Sequence, residues 1–152
     1  MLNSQVTIAR LEAKEASCVR QLLVDGLKER WGTYEARFNP DIEMIPLSYE
    51  DSFFLIAKLS GQVVGTGVLK PIGSHRGEIC RMSVAQSHRR VGIGTLILSH
   101  LLGLAHELRM LEVCLETTSS WESAVKFYSR HGFRTTHEED GNSYFSYVLR
   151  QG

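Results

Sequence analysis

Ser87-His88-Arg89-Arg90-Val91-Gly92-Ile93-Gly94-Thr95 is the most informative segment of this chain. It is basic, carries two glycines and runs into a segment where Ile93, Ile97, Leu101, Leu104 and Leu108 recur at helical spacing, with Leu98 and Leu102 widening the apolar stripe. A turn of this kind at the start of an amphipathic helix predicts an anion site. Glycine lets the backbone approach a ligand closely, and the first helical N–H groups point outward, unsatisfied, at the positive end of the helix dipole. Hydrogen bonds to a charged group contribute about 1.5–3 kcal/mol each, so several such amides hold a phosphate without help from net charge. Two familiar phosphate motifs are excluded. The dinucleotide fingerprint needs a third glycine where Ile97 stands, and the P-loop needs Gly-Lys-Ser or Gly-Lys-Thr.

Outward from this turn the elements alternate. Upstream, Phe53 to Leu59 and Gln62 to Ile72 are β-rich runs separated by Ser60-Gly61, which predicts an antiparallel hairpin. Glu78 to Val84 follows as a third strand, with Ile79, Arg81 and Ser83 on one face and the more apolar Cys80, Met82 and Val84 on the other. Gln5 to Leu11 reads as a first strand, and Lys14 to Arg30 as a helix placing Val19, Leu22, Leu23 and Leu27 on one side, stopped by Gly32. Trp31 to Ser52 is irregular, with room for a short helix. Downstream, Leu111 to Thr117 is a strand and Trp121 to His131 a helix ended by Gly132; Phe133 to Thr136 and Tyr144 to Leu149 are strands joined through Asp140-Gly141-Asn142. A helix between two middle strands implies a parallel crossover, whereas the hairpins imply antiparallel pairs, so a mixed sheet is expected.

Composition bounds the rest. The 152 residues, 43% of them apolar, suit one domain spanning 1–152, able to fold without disulfides or a structural metal. Seventeen basic against seventeen acidic residues give no net charge, which argues against binding nucleic acid or an anionic membrane through a bulk field. Cys18, Cys80 and Cys114 are odd in number and far apart, as expected of free thiols. No apolar window reaches membrane-spanning length, and Met1 to Arg10 lacks signal-peptide character, so a cytoplasmic location is expected. The six histidines show no ligand spacing, and no metal is expected.

Arg89, Gly92 and Gly94 fit the pattern Arg/Gln-x-x-Gly-x-Gly/Ala, and Ala124, Phe127, Tyr128, Gly132 and Phe133 fit Ala-x-x-Phe/Leu-Tyr-x-x-x-Gly-Phe. With the strand Glu78 to Val84 ahead of them, these motifs resemble the GNAT superfamily of acetyl-coenzyme A (acetyl-CoA)-dependent N-acetyltransferases. The resemblance implies an α/β (α+β) fold: one GNAT-like domain with a mixed sheet of about seven strands flanked by helices. In that fold two central parallel strands splay to hold the cofactor. It also implies transfer of an acetyl group from acetyl-CoA to a small-molecule or peptide amine attacking directly in a ternary complex. A homodimer is compatible with the family. The different-class alternative is a coenzyme A (CoA)-binding sensor or regulatory module without turnover.

By the same resemblance, backbone groups of Met82 and Val84 would bond the pantetheine arm or thioester carbonyl. The amides of Arg90, Val91, Gly92, Ile93, Gly94 and Thr95 would hold the diphosphate, with charge added by Arg89 and Arg90. Glu78, eleven residues before Arg89, stands where many members place a general base. The residue-level alternative pairs it with Arg76 or Arg81, and Glu116 is the rival base. A base is needed because an alkylamine near pKa 10.4 is ammonium at pH 7, and freeing its lone pair costs about 4–5 kcal/mol. Tyr128 would act as acid toward the departing sulfur. One departure is Trp121, where many members carry Asn; Ser119, Ser120 or the indole itself would have to replace that contact. Tyr34, Phe38, Asp41, Glu43 and Glu50 suggest an acidic, aromatic acceptor pocket.

Overall fold

Ser60 and Gly61 both take positive φ, 51° and 79°, as a two-residue turn between right-twisted strands requires, and they close the expected hairpin between β2 (Phe53–Leu59) and β3 (Gln62–Pro71). The computed structural model describes residues 5–150. The remaining strands are β1 (Val6–Arg10), β4 (Arg76–Val84), β5 (Glu112–Thr118), β6 (Arg134–Glu139) and β7 (Asn142–Val148). Together they form one seven-stranded sheet in the order β1-β2-β3-β4-β5-β7-β6. All its pairings are antiparallel except β4 with β5, the crossover the sequence predicts.

Among the described residues the sheet is flanked by α1 (Ala16–Trp31), α2 (Pro40–Glu43), α3 (Ile93–Glu107) and α4 (Glu122–Arg130). Gly32 ends α1 at φ 81°, donating its N–H to the Lys28 carbonyl. Ile93, Ile97, Leu98 and Leu101 of α3 bury against Val113, Leu115 and Phe145 on one face of the sheet. On the other face, Val19 and Leu23 of α1 pack with Ile42, Ile45, Phe54, Ile56 and Val68. The irregular stretch after α1 is thus fastened by its own apolar residues. Arg20 of α1 adds hydrogen bonds to the carbonyls of Ile42 (3.2 Å) and Ile45 (3.0 Å).

The strand β4 corrects one expectation. Simple alternation would put Cys80, Met82 and Val84 on a common face opposite Ile79, but Ile79, Met82 and Val84 pack in the α3 core while Cys80 packs in the α1 core. The cause is a bulge. Val68 pairs with Cys80 and Thr66 with Ser83, so one residue of β3, Gly67, faces two of β4, Arg81 and Met82, and Arg81 carries a φ of 50°. One extra residue flips every later side chain to the other face. Thr66 fixes the kink by donating its hydroxyl to the Arg81 carbonyl at 2.7 Å. Gly67 leaves room for it: a Cβ there would lie 2.7 Å from the Met82 sulfur and 2.6 Å from Ile97.

Candidate active site

Parallel pairing of β4 with β5 stops after Arg76–Glu112, Gly77–Val113 and Glu78–Cys114. Beyond that point β4 keeps only β3 as a neighbour, while β5 stays paired with β7 as far as Thr118–Asn142. The strands part, and the gap opens into a cavity of about 600 Å³ walled by β4, β5, α1, α4 and part of the segment after α1. A bulged, bent strand beside a fully paired one provides the physical reason for the divergence.

Two carboxylates, Glu78 and Glu116, line this cavity. Both arginines that might have paired with Glu78 are engaged elsewhere: Arg76 with Glu112 at 2.8 Å and Arg81 with Asp41 at 2.9 Å. The Glu78 carboxylate makes no hydrogen bond or ion pair among the described residues. Glu116 sits directly across from Tyr144 of β7; partial burial, with the Glu116 charge and hydrogen bond next, pushes that phenol up. Of the two acids, Glu78 is therefore the unencumbered one. Cys80 also lines the cavity, where burial, and then the charge of Glu78, push its thiol up to about 11, against a nucleophilic role.

Tyr128, on α4, is buried edge-on against Phe127 and Phe133 and reaches the same cavity. Burial pushes its phenol above the ordinary range, so it stays protonated at neutral pH. Met82 and Val84 line the cavity from β4. Of the basic turn beyond β4, Arg89 lines the cavity, and residues 90–95 lie outside its lining. Arg90 and Gly92 have φ of 66° and 90°, the left-handed values that swing the chain into α3 at Ile93. Val91 and the buried Ile93 anchor this turn in the core, leaving the first amides of α3, through Gly94 and Thr95, without helical acceptors. Arg89 lines the cavity too, yet its guanidinium forms a two-pronged pair with Glu29 of α1 (2.7 and 2.6 Å) and bonds the Val84 carbonyl (3.0 Å). Arg90 is exposed.

Several site features escaped the sequence. Asp41 receives Arg81 through two hydrogen bonds of 2.9 Å, and Tyr49 donates its hydroxyl to the same carboxylate. Burial alone would raise Asp41, but these bonds and the Arg81 charge overcome it and hold the carboxyl below its usual range. The expected acidic lining is correspondingly smaller. Of the five residues suggested, only Asp41 reaches the cavity, and it is neutralised; Tyr34 bonds Glu43 at 2.6 Å, away from the cavity. Trp121 lines the cavity but packs against the end of α1, with Trp31 at 5.2 Å and the Arg30 guanidinium 4.5 Å over its ring. Ser119 bonds Ser143 at 2.7 Å. Among the described residues no three metal-ligating side chains cluster, and no helix is long and apolar enough to cross a membrane.

Comparison with known proteins agrees with this geometry. The profile of the "Acetyltransferase (GNAT) family" matches residues 17–133. The "Probable N-acetyltransferase camello" of Xenopus tropicalis is 33% identical over 101 residues, covering 65% of this chain and 46% of that protein. This chain spans about half the length of such relatives. Among solved structures, a GNAT-family acetyltransferase from Staphylococcus aureus Mu50 superposes with a TM-score of 0.86 at 20% identity, covering 95% of this chain and 99% of that one. The PaiA N-acetyltransferase of Thermoplasma acidophilum, solved in complex with coenzyme A, gives 0.81 at 17% identity with 95% and 99% coverage.

Proposed function

Because the chain belongs to the acetyltransferase (GNAT) family, we propose that it moves an acetyl group from acetyl-CoA to a primary amine of a small molecule or peptide, by direct attack in a ternary complex. The observation that carries this reading is the splay of β4 from β5 beyond Glu78, with an unpaired carboxylate and a tyrosine facing one cavity. Acetyl-CoA supplies the activated acyl group as a thioester.

The residues suit that co-substrate. The free edge of β4 from Ile79 to Val84 offers backbone groups to an extended arm, and the amides at the start of α3 suit a diphosphate. Gly94 supports the same reading. A Cβ there would meet Phe127 no closer than 3.5 Å, so the chain's own packing does not demand a small residue, whereas a ligand lying on the amide does. Glu78 accepts the amine's proton, directly or through a water, so that the lone pair can attack. Tyr128 donates its hydrogen bond to the leaving sulfur; a thiol of ordinary pKa about 8.5 departs more easily than an amine and needs little more. Arg89 keeps the turn in place through Glu29 and Val84.

Turnover of acetyl-CoA against a panel of primary amines tests this. Glu78→Gln and Tyr128→Phe are each expected to slow the reaction at least about tenfold, about 1.4 kcal/mol of transition-state stabilisation. Full activity in both variants would remove these roles, and tight CoA binding without turnover on any amine would point to a sensor instead.

A further inference from the structure

Thr95 stands in the first turn of α3, and His131 follows the last residue of α4. The imidazole Nδ1 lies 2.7 Å from the Phe127 carbonyl oxygen, which can only accept, so Nδ1 carries a hydrogen. The other ring nitrogen, Nε2, lies 3.0 Å from the Thr95 hydroxyl. In the neutral ring Nε2 has only a lone pair, and Thr95 must direct its single hydroxyl hydrogen to it. An ionised phosphate oxygen is likewise an acceptor only. With a phosphate at the α3 turn, Thr95 would face two acceptors with one hydrogen. A proton on Nε2 resolves the conflict: the ring then donates to Thr95, and the hydroxyl hydrogen is released to the phosphate.

We propose that His131 is a positioning residue for the diphosphate of CoA, acting through Thr95, and that anion binding at the α3 turn is coupled to uptake of one proton from solvent at His131 Nε2. This rests on the CoA reading above. Coupling is reciprocal: if the anion favours the imidazolium, the imidazolium favours the anion by the same factor. The surroundings leave the ring free to respond. From α3 it faces the Thr95 hydroxyl; from α4 it faces the Phe127 carbonyl and ring, the latter 4.5 Å away. From β7, Tyr147 lies against the neighbouring Gly132. Among the described residues no carboxylate, lysine or arginine bonds the imidazole. The cationic residues nearest to it in sequence are Arg130, Arg134 and Lys126.

Calorimetric titration of the full chain with CoA near pH 7.5, in two buffers of different ionisation enthalpy, counts the protons taken up per CoA bound. The wild type is expected to take up more protons per CoA bound than His131→Gln and Thr95→Val, the excess approaching the one proton that the coupling calls for. The ionisation of CoA itself cancels in the comparison. An NMR titration of the wild-type His131 ring should show its midpoint rising when CoA is added, a readout that needs no variant to fold. Equal proton uptake in all three proteins, or an unmoved midpoint, overturns the coupling while leaving CoA binding intact. Absence of any heat with CoA in the wild type overturns the CoA reading itself.

Discussion

Arg81 adopts a left-handed φ of 50° in mid-strand and gives its guanidinium to Asp41, forty residues earlier in the chain. That pair frees Glu78 from one of its two potential partners, as the Arg76–Glu112 pair frees it from the other. The carboxylate proposed as base is therefore available because neighbouring charges are satisfied elsewhere. The offset of Glu78 from Arg89 favours it over Glu116 only through the family resemblance; cross-strand register supplies a physical difference, by placing Tyr144 opposite Glu116. Asp41→Asn keeps the size of the side chain but leaves Arg81 without a counter-charge in a partly buried position. The expected loss is about 2–3 kcal/mol, read as a lower urea midpoint with an unchanged slope. An unchanged midpoint would mean that the pair contributes nothing to fastening the segment after α1.

Two elements matter most for the candidate site: β4, which bends away from β5 and opens the cavity, and α3, whose start is the proposed diphosphate turn. The hydrophobic stripe of α3 and the turn before it are local signals, and both were legible. The β4 bulge was not, because it depends on how Thr66 and Gly67 of the neighbouring strand meet it, and it inverted the expected facing of Met82 and Val84. The α3 start gives a contrast at two glycines. Gly92 has a φ of 90°, so Gly92→Ala places an L-residue in the left-handed region and should cost about 1–2 kcal/mol. Gly94 is helical with room for a methyl group against Phe127, so Gly94→Ala should stabilise the free protein by about 0.5 kcal/mol. Thermal unfolding of the two variants should therefore move in opposite directions, and a shift of equal sign would contradict the assigned backbone geometry.

At the scale of the molecule, two cores grip one sheet, and partly buried ion pairs join their edges. Glu15, held low mainly by its hydrogen bond from Lys58, Glu29, held low by Arg89, and Asp41 all have depressed carboxyls in the fold. A depressed folded value stabilises above the ordinary carboxylate range and loses that contribution as pH falls through it. Burial raises Tyr128, and burial followed by Asp41 raises Tyr49; raised groups stabilise below their unfolded value and lose the contribution as pH climbs past it. Thermal midpoints should thus be flat from about pH 5 to 9, falling below about 4 and above about 10. A midpoint still rising toward pH 3 would contradict the depressed carboxyls.

Short-range signals in the chain were enough for the kinds and order of the elements, the hairpin at Ser60-Gly61, the single parallel crossover and the glycine-containing turn into α3. These rest on short-range causes: hydrophobic period, glycine conformation and unsatisfied helix amides act within a few residues. Tertiary structure alone decided which charges cancel, which carboxylate stays free, where Trp121 packs, and that Thr95 meets His131. Those outcomes depend on distances between residues such as Arg89 and Glu29, sixty apart in the chain, and electrostatic and hydrogen-bond energies fall off with separation in space rather than along the sequence.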